Sequence, residues 1–413
     1  MKKMIAGDAA SSPAWDTLET FARGKVQEFI QQLLEDEVTE LLGREKSERR
    51  AAVDAPIGSR NGHGKPRRLA LMNGTITVRR PRVRDVDETF VSRLLPLFQR
   101  RTPAVTALLP ELYLHGLALG DFELALRGLL GDGAPLSASA ILRLKATWQA
   151  QYAAWQQRDL SDIKLVYLWA HGIYVKAGLE DSKAALLVLI GADASGQKMV
   201  LAVVSGQRES TESWAAVLRD LKRRGLRAPK LTIADGHLGI WSALATIYPE
   251  SAEQRCWNHK LRNVLDTVPK KHQAEVKAAL QAIANADTAR EATALRDTFT
   301  RTYRRTHPKA VERLAHDWER MIAYYACPRE HWRHLRTTNI IESPFAAVRL
   351  RTTAAKRFKK VENATALIWK TLLVVEQHFR KLNAPHLCTT VYDGATYRDG
   401  VLVMTSTREL RAA

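Results

Sequence analysis

Leu231-Thr-Ile-Ala-Asp235-Gly-His237 is the stretch on which the fold turns. Four residues of apolar or β-branched character read as a short buried strand, and the strand stops in an acid. Gly236 frees the backbone just beyond it, so Asp235 is aimed out of the sheet as a hard oxygen ligand. An isolated Asp-Gly is more often a plain turn, and its surroundings decide the matter. Far downstream the polar turn Thr337-Thr-Asn-Ile-Ile delivers a second acid, Glu342, followed by Ser343. An Asp at a strand end and a Glu on a later helix are the usual parts of a metal-dependent phosphoryl-transfer site.

The order of elements around Asp235 supports a sheet. Residues 164–176, 184–192 and 198–205 are three strand-like runs joined by short polar turns, which predicts a meander. A helix over 212–225, the strand over 230–234 and a helix over 238–248 make the sequence βββαβα. From residue 258 to 333 the pattern is helical, broken at Pro269 and Pro308, and 343–382 reads as two more helices. The tail from Asn383 has no assignable pattern. Three strands, a helix, a strand ending in Asp and a late helix with Glu form the layout of an RNase H-like core. The expected class is therefore α/β, a mixed sheet interrupted by an all-helical insertion and preceded by a mostly helical DNA-binding region. Expected boundaries are 1–50, 51–157, 158–256, 257–333, 334–400 and a tail at 401–413.

The N-terminal region begins with apolar residues at Phe21, Val26, Phe29, Ile30, Leu33, Leu34, Val38, Leu41 and Leu42, a helical period that Gly43 can end. This amphipathic helix is a candidate for dimerisation. Asn73-Gly74 between short β-type runs predicts a hairpin over 70–84. Its second arm alternates β-branched residues with arginines, so Arg79, Arg80, Arg82 and Arg84, with Arg60, Arg67 and Arg68 before them, are candidates for phosphate contact. A solvated edge strand guarded by charge gives the same pattern. Helices over 106–115, 121–130 and 137–150, the last with Arg143 and Lys145, fit a helix-turn-helix, although helix hairpins without DNA contacts share that pattern.

Composition points the same way. The 413 residues carry 63 Lys and Arg against 44 Asp and Glu, a net charge of +19, which favours a polyanionic partner. A hydrophobic content of 46% is enough for real cores in two or three domains. Cys256, Cys327 and Cys388 are too few and scattered for a disulfide framework. Asp8 interrupts any signal-peptide core, and the longest apolar run, 184–192, falls short of the ~20 residues a membrane helix needs. The expected setting is cytoplasmic, at the nucleoid, with no membrane partner.

At the level of motifs the chain closely resembles the Mutator-type transposases of bacterial insertion sequences, over about residues 60–400. The resemblance is carried by Arg60-Asn-Gly62, Gly74-Thr-Ile-Thr-Val, Arg208-Glu-Ser-Thr-Glu-Ser-Trp214, Ala234-Asp-Gly-His-Leu-Gly-Ile-Trp241, Gln254-Arg-Cys-Trp-Asn-His259 and Ile341-Glu-Ser-Pro-Phe345. It implies an Asp, Asp, Glu triad on an RNase H-like fold with a helical insertion before the Glu. It also implies two Mg²⁺ ions, with Mn²⁺ as a substitute, and DNA partners in the terminal inverted repeats and the target, with two ends paired by a homodimer. Asp235 and Glu342 match the second and third triad positions.

The first position falls on His171, where the family pattern reads Trp-Ala-Asp-Gly or similar. A shared carboxylate bridges two ions, which imidazole cannot do, and Mg²⁺ prefers oxygen. Glu180 and Asp181 are expected past the strand end. The resemblance thus implies a transposase impaired at its first ligand, and a catalytically inactive DNA-binding relic or self-repressor is the alternative. Cys256 and His259 match a Cys-x-x-His motif whose role stays open between packing with DNA positioning and a zinc site completed by Cys327, His331 and His334. Arg336, Arg349, Arg351, Lys356, Arg357, Lys359 and Lys360 surround or follow Glu342 as candidates to hold a scissile strand, or as an ordinary solvated face.

Overall fold

A computed structural model of the chain describes residues 13–87, 90–96, 99–117, 125–127, 130, 138–177, 183–206, 208–236, 238–355 and 358–403. The chain divides into two compact units, Met1–Leu144 and Lys145–Ala413.

In the first unit, α1 (Pro13–Leu42) lies against two short sheets. β1 (Ser59–His63) pairs antiparallel with β4 (Pro81–Arg84), and β2 (Arg67–Leu71) pairs with β3 (Gly74–Val78) through the two-residue turn Met72-Asn73. The expected hairpin is present, but its second arm is split. Pro81 has no N–H with which to continue a ladder, so the chain breaks after Val78 and the arginine-bearing half joins a different strand. Leu34 of α1 packs with Leu69, Ile76, Val78 and Leu95. On the same helix, Gln27 accepts from the Thr77 amide at 2.9 Å, and Gln31 both accepts from the Arg79 amide and donates to its carbonyl. These glutamines stand in for a neighbouring strand along the free edge of β3. Helix α2 (Pro103–Leu114) opens on Thr102, whose hydroxyl caps the Val105 amide. The second helix of the expected helix-turn-helix and the turn after it fall largely outside the described residues. Its third helix corresponds to α3 (Ala138–Gln156), which crosses the division between the units.

The second unit is built on a five-stranded sheet in the order β7-β6-β5-β8-β9. β5 (Leu165–Lys176), β6 (Lys183–Asp193) and β7 (Lys198–Gly206) are the expected antiparallel meander. After α4 (Thr211–Arg223) the chain returns as β8 (Leu231–Ala234), parallel to β5, and after α5 (Leu238–Ile247) as β9 (Ala252–Arg255), parallel to β8. Leu168, Ala170, Leu187 and Leu189 of the sheet pack with Trp214, Leu218, Ile240 and Leu244 of these two helices in one core.

A run of helices follows β9: α6 (Trp257–Leu265), α7 (Lys270–Ala284), α8 (Ala289–Tyr303), α9 (Pro308–Ala315) and α10 (Trp318–Ile322). Pro269 and Pro308 punctuate it as the sequence predicts, Pro308 at a helix start where its missing N–H costs nothing. Short helices α11 (Trp332–Leu335) and α12 (Asn339–Glu342) lead back to the sheet, followed by α13 (Phe345–Ala355), α14 (Val361–Glu376) and α15 (Leu387–Tyr392). The tail ends in a small ladder of β10 (Tyr397–Arg398) and β11 (Val401–Leu402). Trp332 lies in the core, 6% exposed, its indole N–H on the Cys327 carbonyl. Among the described residues no helix is long and apolar enough to cross a membrane.

Lys260 on α6 is 1% exposed and donates to the His316 carbonyl. Burial, and secondarily the Arg255 charge, push its ammonium down to about 7. An unfolded lysine titrates near 10.4, so between these values the unfolded chain holds the extra proton and stability rises with pH. This contribution is complete above the unfolded value and lost as pH falls towards 7. Lys260→Met is expected to raise the melting temperature at pH 7 and to flatten its rise between pH 7 and 9. An unchanged slope in thermal unfolding would show that Lys260 stays charged in the fold.

Candidate functional site

The parallel strands bring the site together. Ala170 of β5 is in register with Ala234 of β8, and Ala234 with Arg255 of β9, so Asp235 and Cys256 leave their strand ends beside His171, which stays within β5. Crevices at the carboxyl ends of parallel strands are the ordinary place for a ligand in such sheets. Gly236 makes the exit possible: its φ is +106°, and a Cβ there would stand 2.2 Å from Arg255 Nε. Arg255 is fixed in turn by Asp317 at 2.7 Å, both nearly buried.

His171 Nδ1 stands 3.7 Å from Asp235 Oδ2, with side chains 17% and 13% exposed. The imidazole of His171 is 5.7 Å from that of His259 and 5.6 Å from the Phe345 ring, centroid to centroid. His259 Nδ1 is 3.8 Å from Glu342 Oε1. One donor atom each from His171, Asp235 and His259 lie within 4.8 Å of one another, and the same holds for Cys256, His259 and Glu342. The expected acids from the strand end and the late helix therefore meet around His259, whose role the Cys-x-x-His spacing leaves open.

Cys256 and His259 are three positions apart at the start of α6, close enough to touch on one helical face. Burial pushes the Cys256 thiol up, but hydrogen bonds from His259 and Thr338 outweigh it and leave the thiol below its ordinary value. The bond to Cys256, opposed by burial and aided by the Asp235 and Glu342 charges, holds the His259 imidazole above its own. Thr338 ties these groups to the late helix. Its amide donates to Cys256 Sγ at 3.3 Å, while its hydroxyl lies 3.2 Å from that sulfur, 3.5 Å from His259 Nδ1, and donates to the Glu342 carboxylate. Nothing in the sequence distinguishes Thr338 from Thr337, and only the fold reveals its place.

Cys327 and His331 are not part of this cluster. His331 lies between the Tyr167 hydroxyl at 2.8 Å and Cys388 Sγ at 3.8 Å, and His334 accepts from the Asn383 amide. Among the described residues, the ligand groupings around Cys256 and His259 contain none of the three, so they do not assemble the zinc set that the spacings permit. Glu209 also lies against this strand: a Cβ on Gly172 would meet its carboxylate at 2.3 Å. Glu180 and Asp181 lie outside the described residues.

The cationic candidates divide by their surroundings. In the first unit Arg68, Arg79, Arg82 and Arg84 are exposed. Arg60 is held by Glu35 at 3.0 Å and by Thr39, Arg67 donates to the Gln99 carbonyl, and Arg80 to that of Phe90. Arg143 is exposed and Lys145 half-buried. In the second unit Arg349, Lys359 and Lys360 are exposed, whereas Arg336 is engaged by the Ala284 carbonyl and Asn285. Arg351, expected on a phosphate-facing surface, is only 2% exposed, because that turn of α13 faces the interior. Lys356 and Arg357 lie outside the described residues.

Residues 3–381 match the family described as "Transposase, Mutator family". The chain is 44% identical over 299 residues to the transposase for insertion sequence element IS6120 of Mycolicibacterium smegmatis, which covers 72% of this chain and 93% of that protein. It is 42% identical over 279 residues to the transposase for insertion sequence element IST2 of Acidithiobacillus ferrooxidans, 67% of this chain and 94% of the relative. A third relative, the transposase for ISRM5 of Rhizobium meliloti (strain 1021), is 30% identical over 378 residues, 90% of this chain and 92% of its own.

Proposed function

Because the chain belongs to the Mutator family of transposases, we propose that it binds the terminal inverted repeats of its own insertion sequence and that the cleft at His171, Asp235 and Glu342 is its DNA-cutting centre, on an RNase H-like core. The observation that carries this reading is the convergence of Asp235 and Glu342 on His259, from a strand end and a helix separated by the helical insertion. The donors fit divalent cations: Asp235 lies with His171 and His259 in one grouping, Glu342 with Cys256 and His259 in the other, both partly shielded from water. Asp235 and Glu342 would hold them. Bound there, divalent cations supply charge neutralisation for in-line displacement at phosphorus, first by water and then by the freed 3′-hydroxyl.

The chain's own residues set the limits of that chemistry. Thr338 and His259 orient the Glu342 carboxylate, and Gly236 and Arg255 fix the exit of Asp235. At position 171 an imidazole stands where a bridging carboxylate would serve two Mg²⁺ ions, so this copy is expected to cut poorly with Mg²⁺. His171 also favours the second reading, a DNA-binding relic or self-repressor without cleavage. The two readings separate in a cleavage assay on end-bearing DNA, run with Mg²⁺ and with Mn²⁺.

End binding does not require the cleft. In this reading Arg79, Arg82 and Arg84, which are exposed in the first unit, meet phosphates, and a homodimer pairs the two ends. Replacing all three by Ala in the full chain is expected to weaken binding to end DNA and random duplex alike. The slope of log affinity against log salt should fall by about one per lost contact. Arg60→Ala, by contrast, should lower the melting temperature, because it breaks the pair with Glu35. An unchanged salt slope in the triple variant would place the phosphate contacts elsewhere.

A further inference from the structure

We infer that His171, Asp235 and His259 form a site for one divalent transition ion of the Zn²⁺ or Co²⁺ kind, in preference to Mg²⁺. The inference rests on the reading above in placing a metal at this cleft, and it makes His171 a ligand that changes the metal's identity as well as a lost carboxylate. Three observations support it. The donor atoms lie within 4.8 Å of one another, and His171 and Asp235 are already at 3.7 Å. Two donors each about 2.1 Å from one ion lie at most ~4.2 Å apart, so the set closes with a small side-chain adjustment. The three ligands come from β5, the end of β8 and α6, elements fixed by the sheet register and by the Arg255 to Asp317 pair.

The chemistry of the set then selects the ion. Two imidazole nitrogens with one carboxylate suit borderline transition ions, whereas Mg²⁺ demands oxygen in near-octahedral array. Three protein ligands at 13 to 20% side-chain exposure also leave a position open to an outside oxygen, as in catalytic rather than structural sites. His259 belongs equally to the grouping with Cys256 and Glu342. The two groupings are therefore alternatives for one ion, and the thiol distinguishes them.

The test is Co²⁺ titration of the metal-stripped full chain, read by visible absorption, with Mg²⁺ in excess as competitor. The expected result is one Co²⁺ per chain, no thiolate charge-transfer band, and no displacement by Mg²⁺. His171→Ala and Asp235→Asn should each weaken Co²⁺ binding about tenfold or more, while Cys256→Ser should leave it unchanged. Metal-free thermal unfolding of each variant separates lost ligation from lost fold. Unchanged Co²⁺ affinity in folded His171→Ala, or a charge-transfer band abolished by Cys256→Ser, would overturn the inference. If either occurs while His171→Asp cuts end DNA with Mg²⁺, the transposase reading stands and only the metal assignment falls. If Co²⁺ binds as expected but no variant cuts, the cleavage reading falls instead.

Discussion

His171→Asp is expected to raise Mg²⁺-dependent cleavage of end-bearing DNA by about a hundredfold or more, with end binding unchanged. The new carboxylate would stand where His171 Nδ1 now approaches Asp235 at 3.7 Å, on the neighbouring parallel strand. It would add both the negative charge and the second oxygen that a bridging ligand needs. A hundredfold corresponds to ~2.7 kcal/mol of transition-state stabilisation, within what one ligand to a reacting cation provides. The same substitution places two carboxylates side by side. Without metal the variant should therefore melt lower than the unchanged chain and recover as Mg²⁺ is added, because a ligand that binds only the native state stabilises it. If the unchanged chain already cuts as fast with Mg²⁺ as His171→Asp, position 171 is not a metal ligand of that reaction.

Trp169→Ala should cost about 3–5 kcal/mol of stability, the range for removing a buried aromatic side chain. Trp169 is fully buried on β5, two residues before His171 and on the same face. Its ring lies edge-on to Tyr167 at 6.2 Å, and its indole N–H donates to the His334 carbonyl at 3.1 Å. That bond joins the central strand to α11, the segment just before Thr338 and Glu342. Trp169→Phe keeps most of the burial and loses the hydrogen bond, so its stability should fall by a smaller step of about 1–2 kcal/mol. Chemical denaturation of both variants checks the order. Equal losses would mean that the hydrogen bond, and not packing, dominates at this position.

Much of the sheet was legible because its signals are local. The strand ending in Asp235-Gly236 and the three preceding strands are continuous apolar runs, and Pro269 and Pro308 mark helix starts by what proline lacks. What the sequence withheld depends on partners far along the chain. The pairing of Ser59–His63 with Pro81–Arg84 is not a hairpin, and periodicity gives no hint of it. Arg351 reads as one more cation in a basic helix, and only packing shows it turned inward. At the site, the positions of Asp235 and Glu342 follow from element ends, whereas the bond from Trp169 to His334 and the seat of Thr338 between Cys256 and Glu342 follow from tertiary folding alone.

If this cleft cuts DNA with Glu342 as a ligand, the decisive comparison is of His171→Asp with His171→Asp combined with Glu342→Gln, on the same end-bearing duplex in Mg²⁺, with end binding measured alongside. Glu342→Gln keeps the shape of the side chain and removes the carboxylate that Thr338 and His259 hold. Cleavage should drop to background in the double variant while its end affinity stays that of His171→Asp. Cleavage at an undiminished rate without the Glu342 carboxylate would show that the cut is made without this ligand.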